Sequence, residues 1–392
     1  MEHPHRPKRI ALFTGNYNHV ADGVSLTLNR LVRYLQARGS KVMVVAPTIE
    51  KPPIEAAGLF RPVPSIPMPI PNRQEYRVAF PMSLRARQEV IRFRPQLIHI
   101  ATPDLPGRNA LKLGRRLGIP VVASYHTHFS SYLSYYHMDM LVERLWRYLK
   151  KFYDQCDHVY VPSSSMVEVL REHGINKNIL LWERGVEIDQ FTPEKRSEAW
   201  RLAHGIAPNE PVVLFVSRLV WEKGLDVFMR VVQQLEAKGI AHKSVIVGNG
   251  PAEEELREQL PNSIFKGHLA GEALAMAYAS SDIFLFPSTT ETFGNVTLEA
   301  MSSGLPTVCA DATGSKELVT DHKTGFLLLS GNVDQFYERV ETLITQNALR
   351  KEMGAAARER ALLYSWPEIL GKIDGYYDQL LFPDPRKGLF NL

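Results

Sequence analysis

The sequence predicts an α/β protein built as two doubly wound, Rossmann-like domains. Three observations lead there. Short β-branched runs alternate with amphipathic helical stretches along the whole chain, the pattern of parallel sheets covered by helices. The 392 residues exceed what one hydrophobic core usually serves, since domains mostly run to ~100 to 200 residues. A stretch punctuated by Pro193, Gly205, Pro208 and Pro211 separates the alternation into two series.

In the first series, the apolar runs predict strands at Arg9–Thr14, Lys41–Ala46, Gln96–Ala101, Pro120–Tyr125 and His158–Pro162. Helices are predicted near Ser25–Arg38, Gly107–Leu117 and Leu141–Gln155. Residues 47–81 break the rhythm, because seven prolines from Pro52 to Pro71 cannot sit in regular structure for long; a long loop is expected. The second series places strands at Val212–Ser217, Ser244–Gly248, Ile264–Lys266, Ile283–Pro287 and Thr307–Cys309. Near the end, Ser365-Trp366-Pro367 interrupts a helical tail and predicts a final helix from about Glu368 to Leu381. The expected domains are residues 1–200, residues 201–365, and a tail of residues 366–392 that leaves the second domain to pack on the first.

Bulk properties exclude several classes. With 45% hydrophobic and 22% charged residues the composition is that of a globular protein. A net charge of +4 and a pI near 8.9 suit an anionic small ligand or membrane surface, and are too mild for nucleic acid. Cys156 and Cys309 lack metal-like spacing, so a reducing cytoplasm is expected. The apolar run Ile10–Phe13 is far shorter than an export signal's core, and no window reaches ~20 apolar residues. Any membrane contact is expected to be peripheral, on the inner face of the cytoplasmic membrane.

Chemistry concentrates at Pro287–Pro306, PSTTETFGNVTLEAMSSGLP, where a strand runs into a loop and a short helix. Glu291 falls in the loop at the strand's carboxyl end, where open α/β sheets bind ligands. Glu299 lies a turn into the helix, whose N-terminal N–H groups receive phosphate or sugar oxygens; Gly294 admits close backbone approach. The same spacing fits solvated or helix-capping glutamates. After the second series' first strand, Arg218 and Lys223 are cations suited to a departing pyrophosphate, although Glu222 offers a surface ion pair instead. Gly248-Asn249-Gly250 is a glycine-rich strand-to-helix turn. Asp22-Gly23-Val24-Ser25 opens the first long helix, where Asp22 or Ser25 can also act as a simple N-cap. No G-x-G-x-x-G follows the first strand, against an NAD enzyme, and no Asp-x-Asp occurs to bridge a metal to pyrophosphate. His126 and His128 lack the further ligands that zinc needs.

The paired glutamates and their surroundings resemble the signature of the large retaining glycosyltransferase family numbered four, with the GT-B fold of two Rossmann-like domains facing across a cleft. The resemblance reaches nearly the whole chain. It implies that Glu291 and His126 meet the donor sugar while Arg218 and Lys223 meet the pyrophosphate. It further implies donor binding by Gly23, Gly248, Asn249, Gly250, Lys266, His268, Phe293, Gly294, Asn295, Val296 and Glu299, the last on the ribose. Residue 22 is aspartate where the family commonly has a second glycine.

Residues 72–81 (NRQEYRVAFP) and 124–136 (SYHTHFSSYLSYY) resemble a subgroup containing bacterial α-mannosyltransferases and lipid glucosyl-, glucuronosyl- and sulfoquinovosyltransferases. That implies a UDP- or GDP-sugar donor and a lipid or glycan acceptor, with Tyr132 and Arg77 as candidate acceptor contacts; the missing Asp-x-Asp predicts that no metal or other cofactor is needed. Tyr132, Tyr135, Tyr136, Trp146, Tyr148, Phe152 and Tyr153, interleaved with Arg144, Arg147, Lys150 and Lys151, suit a membrane interface; a helix covering the sheet uses the same residues. A nucleotide-sugar epimerase and a non-catalytic sugar-nucleotide-binding protein are the competing readings. The sequence does not decide the oligomeric state.

Overall fold

The structure is a computed structural model that describes residues 6–20, 22–68, 76–125, 139–176, 178–291 and 293–383, without the side chains of 139–142. It divides into two compact units: the chain up to Trp182 together with the chain from Ile369 onward, and Glu183–Glu368. Each unit is considered by itself.

The first unit holds a seven-stranded sheet in the order β3-β2-β1-β6-β7-β8-β9. Its strands are β1 (Arg9–Phe13), β2 (Lys41–Ala46), β3 (Leu59–Pro62), β6 (Leu97–Ile100), β7 (Val121–Ser124), β8 (His158–Val161) and β9 (Ile179–Leu181). All neighbours pair in parallel, as the alternation requires. β1 and β6 to β8 are buried almost throughout, which is why they read as continuous apolar runs.

The proline-rich segment is more regular than its composition suggests. It supplies β3 at the sheet's edge, ending on Pro62, and a two-stranded antiparallel ribbon of β4 (Ser65–Pro67) and β5 (Arg77–Ala79). Prolines are tolerated there because edges and strand ends spare the missing N–H.

The final helix, Trp366–Leu381, crosses from the second unit into the first. Pro367 lies in its first turn, where no N–H partner is lost. Buried Lys8 donates through Nζ to Asp374 Oδ1 at 2.5 Å and lies 3.0 Å from Asp378 Oδ1. Tyr377 Oη meets His99 Nδ1 at 2.7 Å, while His99 Nε2 meets Ser124 Oγ at 2.5 Å. Burial pulls the His99 imidazole down to about 3, so it is neutral.

The second unit holds a six-stranded parallel sheet in the order β12-β11-β10-β13-β14-β15. Here β10 is Val212–Val216, β11 Lys243–Val247, β12 Ile264–Phe265, β13 Ile283–Phe286, β14 Thr307–Ala310 and β15 Gly325–Leu328. The chain leaves β10 toward β12, then returns to place β13 on β10's other side, with Val213 opposite Ile283. That reversal makes a crevice outside the carboxyl ends of β10 and β13. Among the described residues, no helix is long and apolar enough to cross a membrane.

Candidate functional site

The loops that follow β10 and β13 carry the residues singled out in the sequence, and strand order makes them neighbours. A short 3-10 turn, Trp221–Lys223, ends on Gly224 with φ 75. A Cβ on Gly224 would stand 2.7 Å from Pro287 O, so the turn rests directly on the residue leaving β13. This contact delivers Lys223 to the second loop. Its Nζ donates to Glu291 Oε1 at 2.8 Å and to Thr290 Oγ1 at 2.9 Å. The Lys223 side chain is only 11% exposed. Arg218 behaves differently: it is 74% exposed and 3.6 Å from Glu222, so the surface ion pair falls to the arginine and the lysine pairs with Glu291. The arginine's pair is weak enough to be given up to a ligand.

Glu299 sits in the helix Asn295–Ser302, which opens at Gly294 and, among the described residues, has no side-chain cap. Its first N–H groups therefore face the loop without a capping partner. Tyr278, fully buried on the helix Gly271–Ala279, donates to Glu299 Oε2 at 3.1 Å and approaches Val296 O at 3.2 Å. Burial raises the Glu299 carboxyl to about 7, and the Tyr278 hydrogen bond only partly offsets it. Thr313–Leu318, the helix after β14, closes the other side, where a Cβ on Gly314 would stand 2.6 Å from Glu291 Cβ.

The third loop follows β11. Gly248 has φ 132, and a Cβ there would fall 1.8 Å from Ser217 O, so no side chain fits. Leu219 N donates to Asn249 O at 3.0 Å, binding this loop to the one carrying Arg218. Thus Arg218, Lys223, Gly248, Asn249, Gly250, Glu291, Gly294, Asn295, Val296 and Glu299 stand on loops and a helix start at one end of one sheet. Three predicted positions are less direct. Phe293 is buried against Tyr364, Lys266 Nζ meets His204 Nε2 at 2.6 Å, and His268 is exposed after β12.

In the first unit, Gly23 opens the helix Gly23–Ala37 behind an Asp22–Ser25 capping box, and a Cβ on Gly23 would meet nothing within 4 Å. His126 and Tyr132 lie outside the described residues, as do Tyr135 and Tyr136. Arg77 Nε donates to Ser65 Oγ at 2.6 Å, which fixes it across the β4–β5 ribbon. It borders a cavity of about 350 Å³ together with Met68, Val78, Leu105, Arg108 and Tyr148. The interfacial reading of Trp146, Phe152 and Tyr153 does not stand: all three are buried against the sheet, on the core face of the helix Asp139–Tyr153. Arg144, Arg147, Tyr148, Lys150 and Lys151 are exposed, with Lys150 held by Asp154 at 2.8 Å.

The larger cavity, of about 880 Å³, lies elsewhere. It is lined by Pro211, Asp282 and Pro306, each preceding a strand, at the amino end of the second sheet and away from the paired glutamates. Among the described residues, no group of three or more His, Cys, Asp or Glu is placed to hold a metal ion. Tyr278 and Thr290 are the residues that sequence reasoning missed. Thr290 adjoins Glu291 and was within reach of the motif, whereas Tyr278 had no local signal.

Families of known proteins match in both units. The profile of the Glycosyltransferase Family 4 matches residues 21–190, and that of the Glycosyl transferases group 1 matches residues 196–360. The chain is 35% identical over 379 residues to the sulfoquinovosyl transferase SQD2 of Arabidopsis thaliana, covering 94% of this chain and 73% of that one. It is 31% identical to a GDP-mannose-dependent alpha-mannosyltransferase of Corynebacterium glutamicum, over 96% and 90% of the two chains. Identity to the alpha-monoglucosyldiacylglycerol synthase of Streptococcus pneumoniae is 27%, over 81% and 75%. The solved sucrose-phosphate synthase of Thermosynechococcus elongatus superposes with a TM-score of 0.71 at 21% identity, covering 96% of this chain and 100% of that one, which shows the fold. With two parallel Rossmann-like sheets, a family match on each and near full-length likeness to named transferases, the chain belongs to the group 1, family 4 glycosyltransferases of GT-B fold.

Proposed function

We propose that this enzyme transfers a hexose from a UDP- or GDP-linked sugar to a hydroxyl of a membrane lipid, such as a diacylglycerol or related glycolipid, with retention at the anomeric carbon and without a metal ion. The observation that carries the reading is the Lys223–Glu291 pair at the reversal of the second sheet. It sets a fixed cation beside a carboxylate where phosphate and sugar of one donor would meet.

As the bond from the anomeric carbon to the phosphate oxygen breaks, its electron pair leaves with the nucleoside diphosphate. Lys223, Arg218 and the uncapped helix start at Asn295 stabilise that charge. The acceptor oxygen forms the new bond and passes its proton to an oxygen of the departing diphosphate. Glu291 faces the sugar hydroxyls, and Glu299 accepts from the ribose. Front-side departure and a covalent intermediate both give retention. Gly248 to Gly250 and the segment Lys266 to His268 seat the base.

Support for a lipid acceptor comes from the first unit and from relatives. The 350 Å³ cavity has apolar walls beside Arg77 and Arg108, and Ile66, Val78 and Phe80 on and beside the same ribbon are exposed. One relative is named as a diacylglycerol glucoside synthase. The test incubates the enzyme with UDP- and GDP-sugars in the presence of diacylglycerol, glycolipid or soluble sugars. Transfer to lipid is expected. Interconversion of nucleotide sugars would establish an epimerase, and donor binding without turnover a binding protein.

A further inference from the structure

Lys223 is held by two acceptors, and the proposed donor site, on which this inference rests, accounts for only one of them. Glu291 has a second task there, since its carboxylate would face the donor sugar. Thr290 has none. Yet Thr290 Oγ1 accepts from Lys223 Nζ at 2.9 Å, as close as the ion pair at 2.8 Å. The threonine is itself fixed: its N donates to Ser288 Oγ, a side chain 1% exposed, at 3.4 Å, and the two hydroxyl oxygens lie 3.4 Å apart. The turn carrying Lys223 rests on Pro287, the residue before Ser288, through Gly224. Both ends of the Thr290 to Lys223 contact are therefore anchored to the same exit of β13.

We infer that Thr290 is a positioning residue, which keeps the Lys223 ammonium aimed when Glu291 turns to the sugar. An ammonium has three donors on a flexible four-carbon stem. When the carboxylate leaves for the sugar hydroxyls, a single protein acceptor keeps the stem from reorienting, and the freed donors turn to the diphosphate. A valine at 290 has the same shape without the acceptor, and Thr290 is exposed, so the fold tolerates the change.

The experiment measures UDP and GDP affinity by calorimetry, with donor KM and kcat, for Thr290→Val, Thr290→Ser, Lys223→Met and the double variant Thr290→Val with Lys223→Met. Thr290→Val is expected to weaken nucleoside diphosphate binding and raise donor KM by about three- to tenfold. Thr290→Ser should restore both to within about twofold, since it returns the hydroxyl. In the Lys223→Met background, Thr290→Val should add nothing, because its effect passes through the lysine. An unchanged Thr290→Val, an equal loss in both backgrounds, or failure of serine to rescue would overturn the inference while leaving the donor site intact. A silent Lys223→Met would overturn the donor site and this inference together.

Discussion

A rise in pH from about 6 to about 8 should tighten nucleoside diphosphate binding roughly tenfold through one carboxyl group. In the proposed site Glu299 accepts from ribose hydroxyls, and the ionised carboxylate is the far stronger acceptor. Burial raises its carboxyl from 4.5 to about 7, so it changes charge in the range where enzymes are assayed. Roughly a tenth of it is ionised at pH about 6 and roughly nine tenths at pH about 8, and affinity scales with that competent fraction. The sign for stability is opposite. The folded carboxyl holds its proton where the unfolded one has lost it, so stability falls as pH rises from 4.5 through about 7. Calorimetric titration of UDP and GDP across this range gives the affinity, and Glu299→Gln serves as the control because the ligand's own phosphate titrates identically with both proteins. The variant should lose the tenfold step. Identical pH profiles for the two proteins would refute the placement of Glu299 on the ribose.

The same geometry sets three other expectations. Lys8→Met removes the buried cation from Asp374, which keeps its 3.5 Å ion pair with Arg38, and should cost about 1.5 to 3 kcal/mol in urea unfolding, most of it recovered by adding Asp374→Leu; a loss under about 0.5 kcal/mol would mean the final helix is held otherwise. Transfer should survive exhaustive chelation if, as proposed, Lys223, Arg218 and a helix start serve the diphosphate; activity that returns only with added magnesium or manganese would refute it. Neutralising Arg144, Arg147, Lys150 and Lys151 together should lower affinity for anionic vesicles by about two orders of magnitude, since each exposed cation near such a surface contributes about 1 kcal/mol and Lys150 is already paired; unchanged, salt-insensitive binding would remove the membrane reading.

Strands such as Ile10–Phe13 and Val42–Val45 were legible because a sheet covered on both faces leaves an unbroken apolar run. Leu59–Pro62 and Ser65–Pro67 were not, since prolines at an edge hide a strand from composition. The helix Leu84–Phe93 escaped because only Val90 of it is buried, which leaves almost no apolar stripe to read. Trp146, Leu149, Phe152 and Tyr153 repeat every three or four residues, the spacing of a helix face on a core, and that periodicity outweighed the basic residues between them. In the site, Glu291 and Lys223 were each readable from their own loops. Their pairing was not, because the two are 68 residues apart and meet only through the β10 to β13 reversal. Tyr278 reaches Glu299 from another helix, a contact that no local spacing encodes.

The crevice beyond β10 and β13 is proposed to hold donor sugar and diphosphate, with Glu291 on the sugar. The most direct test compares Glu291→Gln with the native enzyme in one experiment, measuring hexose transfer and nucleoside diphosphate affinity side by side. Transfer is expected to fall by at least about a hundredfold while diphosphate affinity stays within a few-fold, since the charge is removed from the sugar's partner and Lys223 remains. Native turnover in the variant would contradict the claim.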